Sequence, residues 1–309
     1  MHRFLTVAAP FLAFALSAHA SIYYLTITGL GGEQDYTQRF KMWAEDIDNS
    51  LKKAGGDINV VTMQTPTREQ VRAKFGELSR LAKNSDSLVV MLIGHGTYDG
   101  QDYKFNLLGP DITASELAAL MDRIPAQRQL VVNMTECSGG SVEQLRRPQR
   151  IVIAATRAGT ERNATVFARY WAEALREPAA DTDKNEAVSA LEAFRYAQQK
   201  TTDFFDTQKR LATEHSVIED TGKGTGERNP GVDSAEGKLA AAFPVIRLGA
   251  NAAAARDPEK RPLLERKEAL EQAIDKLKYE KAAMPEAQYK RQLTQLLLEL
   301  AKVQGEIDK

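Results

Sequence analysis

Three short, almost wholly apolar runs constrain this chain most: Ser87 to Gly94 (SLVVMLIG), Gln129 to Met134 (QLVVNM) and Arg150 to Thr156 (RIVIAAT). None alternates apolar with polar residues, and each is bounded by polar or glycine positions. They read as strands covered on both faces, as in the interior of a parallel sheet. Amphipathic stretches lie between and before them. Gln38 to Ala54 sets Phe40, Trp43, Ala44, Ile47 and Leu51 at helical spacing. Thr67 to Ala82 opens with Thr67 and Gln70, the reciprocal cap of a helix start. Thr113 to Ile124 and Thr165 to Arg176 are further helices. Ile22 to Thr28 (IYYLTIT) and Ile58 to Met63 add two strands, the first running into a glycine turn at Gly29-Leu30-Gly31-Gly32. Strands and helices in alternation predict an α/β domain whose mostly parallel sheet is flanked by helices.

The two ends of the chain differ from this pattern. Residues 1–20 have a basic start (His2, Arg3), an apolar stretch from Phe4 to Leu16 and a small-x-small ending at Ala18-His19-Ala20. That is the layout of a cleaved secretory signal. The apolar stretch falls short of the roughly 20 residues a membrane span needs. The mature protein, from Ser21, is therefore expected in the periplasm or outside the cell, with no membrane span. At the other end, Arg256 to Lys309 is rich in Glu, Lys, Gln, Leu and Ala, and is interrupted at Met284-Pro285. It predicts an antiparallel helical hairpin, whose leucines (Leu263, Leu270, Leu277, Leu293, Leu300) suit covering a domain surface, meeting a helical partner or self-association. The catalytic domain would span 21–250 and the hairpin 256–309.

Between them, Glu177 to Lys184 reads as a polar connection and Asn185 to Ala212 as a long helix. Glu214 to Gly237 reads as an extended polar loop, and Ala240 to Leu248 as a strand returning to the sheet edge, where Pro244 is tolerated. Asp220-x-Gly222-x-Gly224 lacks the ligand run of a calcium loop and reads as a turn. His215, in the polar loop, reads as exposed. A formal net charge of −1 gives no basis for a nucleic-acid or anionic-membrane partner. The single cysteine rules out an internal disulfide. A lone thiol in an exported protein is either a buried small hydrophobe or a nucleophile.

Its neighbourhood favours the nucleophile. Two apolar runs end alike, VVMLIG-His95-Gly96 and LVVNMTE-Cys137-Ser138-Gly139-Gly140. Ligands of open α/β sheets bind beyond the carboxyl ends of the strands. If these two strands are parallel neighbours, imidazole and thiol emerge on one edge, about 4.8 Å of strand spacing apart. The separation, 137 − 95 = 42 residues, accommodates the crossover that a parallel connection requires. A thiolate attacks a carbonyl, an imidazole protonates the leaving amine, and glycine backbone N–H groups approach the oxyanion. Such chemistry needs no metal or other cofactor.

The order of these motifs resembles the caspase-like cysteine peptidases, which include legumain, the caspases, metacaspases and gingipains. The resemblance runs from Ile22 to Leu175 and is greatest to the legumain (asparaginyl endopeptidase) branch. GLGGEQDYTQRF is similar to the turn and helix start after that branch's opening strand, and IAATRAGTERNATVF to the strand after its nucleophile. The resemblance implies a caspase-like fold and a peptide or protein substrate. It makes Cys137 the nucleophile and His95 its acid/base partner, with the N–H groups of Gly96 and Cys137 as oxyanion donors. It puts forward Asp35 to orient the histidine, although an acidic residue at a helix N-terminus explains that position equally well. For the pocket ahead of the cut it offers Arg39, Thr135, Glu136, Arg157 and Arg162. Thr135 and Glu136 depart from the acidic residue that legumain carries two positions before its cysteine, so an asparagine preference does not carry over. The bare motif also serves other acyl substrates, and transfer to an amine as well as hydrolysis. A non-catalytic envelope scaffold, with the hairpin as its docking surface, is the reading of a different class.

Overall fold

A computed structural model describes residues 20–231, 234–281 and 284–309. The signal assigned to 1–20 lies outside the described residues apart from Ala20. The opening strand β1 (Ile22–Thr28) leads into α1 (Gln34–Lys53), β2 (Ile58–Gln64), α2 (Arg68–Leu81) and β3 (Ser87–Ile93). Three short strands follow, β4 (Gly96–Tyr98), β5 (Tyr103–Phe105) and β6 (Ile112–Thr113), then α3 (Ala114–Asp122) and β7 (Arg128–Asn133). A single 3₁₀ turn at Ser138–Ser141 precedes α4 (Val142–Leu145), β8 (Arg150–Ala154) and α5 (Phe167–Ala174).

Among the described residues the main sheet has six strands, and its order brings β8, β7, β3, β1 and β2 side by side, all parallel. The architecture is mixed α/β, a mainly parallel sheet between helical layers with helices at its C-terminus, as the sequence predicts. Every residue of β3 is buried. Its side chains alternate: Val89, Met91 and Ile93 join the core under α1 and α5, while Leu88, Val90 and Leu92 join the core under α2 and α3. A run with no polar face is what a two-sided strand demands. At the start of α2, Thr67 and Gln70 make the reciprocal cap that the sequence predicts.

The C-terminal half departs from expectation in three places. The helix expected from Asn185 begins only at Ala190 (α6, Ala190–Thr207), because a three-residue strand β9 (Ala187–Ser189) precedes it. Within the loop expected from Glu214, β10 (Val217–Glu219) pairs antiparallel with β8 and closes the sheet edge. After α7 (Lys238–Ala241), β11 (Pro244–Arg247) pairs with β9 in a separate two-stranded sheet, not with the main sheet edge. Three- and four-residue strands carry too few positions for a period to emerge, so burial and pairing decide them.

The chain ends in α8 (Gly249–Arg256), α9 (Arg261–Glu280) and α10 (Glu286–Ile307). Leu264, Leu270, Val303 and Ile307 pack with Ala254 and Ala255. Arg247 anchors the hairpin to the domain through a bidentate pair with Glu268, at 2.6 and 3.0 Å. Leu297 and Leu298 on α10 remain exposed.

Candidate active site

Because β1, β3, β7 and β8 run parallel, the segments that leave their carboxyl ends share one edge of the sheet. Those segments carry Gly31, His95, Cys137 and Arg157–Arg162 respectively. Leu92 of β3 sits opposite Asn133 of β7. His95 and Cys137 therefore follow neighbouring strands at nearly the same height.

His95 is held from every side. Its Nδ1 lies 2.8 Å from Glu136 Oε1 and its Nε2 3.2 Å from the Gly31 carbonyl oxygen. The rings of Tyr36 and Phe40 meet it edge-on, with centroids at 4.8 and 5.1 Å. A carbonyl and a carboxylate only accept, so this arrangement suits a ring that donates from both nitrogens, the imidazolium. The Glu136 hydrogen bond is the main cause that raises the His95 pKa, against the opposing effect of burial. Asp35, by contrast, lies exposed in the first turn of α1, where an acidic side chain suits the helix dipole. Gly31 and Glu136 occupy the orienting positions proposed for it.

Cys137 sits on a tight turn, with left-handed backbone angles of φ 58° and ψ 3°. A non-glycine residue held there stores on the order of 1–3 kcal/mol of strain, a cost found where local geometry serves function. Gly139 permits the turn, since a side chain at this position would overlap the backbone of Arg157 and Ala158. Cys137 as a whole is only 2 % exposed. Burial, and then the Glu136 charge, raise its pKa above the ordinary value, while Arg162 and a hydrogen bond from the Tyr98 backbone act the other way.

The Cys137 N–H donates to the Glu161 carbonyl at 2.7 Å, so it is not the free oxyanion donor that the resemblance implied. The strand β4 supplies an alternative. Asn106 N–H bonds the His95 carbonyl at 3.0 Å, which makes His95 and Asn106 a hydrogen-bonded pair of the antiparallel ladder. Gly96 opposite Phe105, and Tyr98 opposite Tyr103, then fall in non-hydrogen-bonded pairs. Their N–H groups face away from β5, on the side where Tyr98 meets the Cys137 sulfur. Gly96 and Tyr98 thus present two N–H groups along one strand side. The i, i+2 alternation of a strand beginning at Gly96 was the signal for Tyr98, concealed by the brevity of β4.

The remaining candidates separate. Thr135 is fully buried and hydrogen-bonded to Tyr103 Oη at 2.6 Å, so it lines no open pocket. Arg157 pairs with Glu161 at 3.2 Å. Arg162 reaches the Tyr98 carbonyl at 3.5 Å. Arg39 lines a cavity of about 830 Å³ with Tyr36, Trp43, Arg169, Arg176 and Arg210. Tyr36 forms part of this cavity and of the wall around His95. His215 is partly buried, its Nδ1 2.6 Å from Glu161 Oε1. Glu161 thus receives Cys137, Arg157 and His215 together, and tethers the loop after β8 beneath the thiol.

A parallel sheet whose neighbouring strands deliver an imidazole and a strained cysteine to one edge defines a caspase-like domain of the cysteine peptidase type. The chain belongs to the caspase domain family, whose model matches residues 44–205. Solved structures are similar to the chain at low identity. The initiator caspase Dronc of Drosophila superposes with a TM-score of 0.46 at 9% identity, over 67% of this chain and 82% of that one. Caspase-1 of Spodoptera frugiperda gives 0.44 at 12% identity, over 66% and 87%. A Geobacter sulfurreducens protein gives 0.43 at 12%, over 68% and 98%. No curated protein sequence matches the chain.

Glu136 bears on both active groups, which makes its replacement informative. Glu136→Gln removes the charge that disfavours the thiolate and weakens the clamp on His95. Alkylation of Cys137 by iodoacetamide at pH 7.5 is expected to rise about 3- to 10-fold, since one pKa unit is tenfold in thiolate at pH values well below the pKa. The pH–rate midpoint moves down with it. An unchanged midpoint would remove Glu136 from the electrostatics of the thiol.

Proposed function

We propose that this domain is a cysteine endopeptidase in which Cys137 forms a thioester with the substrate and His95 carries the proton. The observation that carries the reading is the shared edge: His95 and Cys137 beyond adjacent parallel strands, with the Tyr98 N–H at the sulfur and the Gly96 N–H on the same side of β4. The resting arrangement is latched. The Glu136 hydrogen bond favours the protonated ring, and burial disfavours the thiolate. Substrate entry draws Glu136 off Nδ1, and the ring then releases its proton to solvent. The neutral imidazole takes the thiol proton as sulfur bonds to the carbonyl carbon, and returns it to the amine as the C–N bond breaks. Water then cleaves the thioester, and an amine acceptor in its place gives transfer.

The arginine-lined cavity beside Tyr36 favours acidic or polar stretches of the substrate. Export to the periplasm or cell exterior belongs to the same reading and rests on residues 1–20 alone. An asparagine preference of the legumain kind finds no support, because the residue two before the cysteine is the buried Thr135. The test is covalent labelling of the protein from Ser21 by acyloxymethyl ketone probes that vary the recognition residue. Labelling at Cys137, strongest with acidic or polar probes and lost in His95→Ala, is the expected result.

Two observations favour a scaffold instead: both ring nitrogens of His95 are engaged, and Cys137 is buried. In that reading the exposed Leu297 and Leu298 of α10 carry the binding. Absence of labelling by every probe, in wild type and in Glu136→Gln alike, would establish it over the enzyme.

A further inference from the structure

The segment between α5 and α6 contains a pattern that the peptidase chemistry leaves unused. Residues 181–192 read Asp-Thr-Asp-Lys-Asn-Glu-Ala-Val-Ser-Ala-Leu-Glu. Counted from Asp181, oxygen-bearing groups fall at positions 1, 3, 5, 7, 9 and 12: Asp181, Asp183, Asn185, the Ala187 carbonyl, Ser189 and Glu192. That is the ligand register of the twelve-residue calcium loop, including the closing glutamate.

The structure adds observations of its own. Carboxylate oxygens of Asp181, Asp183 and Glu192 lie within 4.8 Å of one another. Asp181 and Glu192 are only 6 % and 7 % exposed, unlike the members of an ordinary surface acidic cluster. Asp181 accepts from the Asn185 and Glu186 N–H groups and Glu192 from those of Thr182, Asp183 and Ser189, all uncharged donors, and Lys278 acts on Asp183 through its charge. Buried carboxylates are normally paired with a cation or bound to a metal. A small cavity of about 40 Å³ is lined by Asp183, Asn185, Ala187 and Ser189, four of the six register positions, together with Glu271 and Asp275. Position 6 of such loops demands a left-handed backbone, and Glu186 holds φ 63° there. Val188, at position 8, pairs with Ile246 across the small sheet, and Glu192 falls in the first turn of α6.

We propose that residues 181–192 form a calcium site, with the side chains of Asp181, Asp183, Asn185, Ser189 and Glu192 and the Ala187 carbonyl as its oxygen ligands. The donor set is hard oxygen throughout and offers six groups with one two-oxygen carboxylate, which suits calcium over the stricter octahedron of magnesium. The two Glu192 oxygens, which now accept from Thr182 and Ser189, would turn to the ion as its two-oxygen ligand. Calcium would then lock β9 to the start of α6. The site is structural and does not depend on the proposed peptidase activity.

The test is calorimetric titration of the chelator-treated full chain with calcium chloride, and with magnesium chloride for comparison. One saturable calcium event per chain is expected, with Kd between about 10⁻⁶ and 10⁻³ M and weaker magnesium binding. Asp183→Asn, at an exposed position, leaves the circular dichroism spectrum unchanged and weakens calcium at least about tenfold through loss of a charged ligand. Glu192→Gln acts in the same direction, although it also alters the cap of α6. Absence of saturable calcium heat in the wild-type chain overturns the proposal, and so does binding that Asp183→Asn leaves unchanged.

Discussion

Cys137→Ala and His95→Ala are each expected to lower kcat/KM for a peptide substrate by at least about 10³-fold if the proposed mechanism holds, with the double variant no worse than the poorer single one. The expectation of non-additivity is the sharper half. Once the sulfur is gone there is no thiol proton for the ring to carry, so losing the imidazole costs little more. Two residues that acted independently would multiply their effects instead. His95→Ala keeps the nucleophile but loses proton transfer to the amine, so a substrate with an activated ester leaving group is spared more than an amide. The Gly96 and Tyr98 N–H groups stay in place in both variants and leave a small residual rate. Steady-state kinetics on an amide and its matching ester decide the matter. Hydrolysis that persists in Cys137→Ala would assign the reaction to another group and remove the thioester mechanism altogether.

The part of the site legible in the sequence is the part carried by long buried strands. Ser87–Ile93 and Arg128–Asn133 are continuous enough for their burial to be read directly, and a strand end followed by glycine marks where a side chain must emerge. The roles around them were not legible, because they depend on which groups fill the neighbouring space. Glu136 reads as a pocket residue from its place beside the cysteine, yet the turn at Cys137 swings it onto His95. Gly31 contributes a carbonyl, which no residue type announces. Glu161 and His215 lie 215 − 161 = 54 positions apart and meet only because β10 closes the sheet edge beside β8. The register at 181–192 is hidden in the sequence for a different reason. Reading a polar connection up to Lys184 and a helix from Asn185 divides the ligand register between two segments, and the twelve-residue spacing then vanishes.

Stability is expected to fall as pH rises from about 5 to 8, the reverse of the usual carboxylate pattern, and Glu214 is the most buried of the raised carboxyls that cause it, with Glu271 (up to about 7) and Asp183 (up to about 6) acting in the same direction. Both of its oxygens accept backbone N–H groups at the start of α5, Val166 at 2.8 Å and Phe167 at 3.3 Å. Those bonds favour the charged form. Burial nonetheless outweighs them, and the Glu161 charge adds to it, pushing the carboxyl from an ordinary 4.5 up to about 7. A folded pKa above the unfolded one means that the native state holds a proton the unfolded chain has released. The stabilisation is therefore full below about pH 4.5 and is lost as pH climbs to 7. His95 follows the same direction: its raised pKa contributes stability that is complete below 6.5 and lost as pH passes through the folded value. Asp220, raised by burial, adds to the trend. Carboxylates with lowered pKa, such as Asp122, exert their opposite effect on the acid side, below their ordinary 3.8. For Glu214, which is 3 % exposed, a rise from 4.5 to 7 corresponds to at most about 3 kcal/mol. In a domain of this size that is about 6–12 °C in Tm. Calorimetry across pH 5 to 8 at fixed ionic strength checks the slope, and Glu214→Gln flattens it whatever the variant does to the absolute Tm. A Tm that climbs through this range would mean that Glu214 ionises at its ordinary pH in the folded protein, with the two α5 N–H groups outweighing its burial.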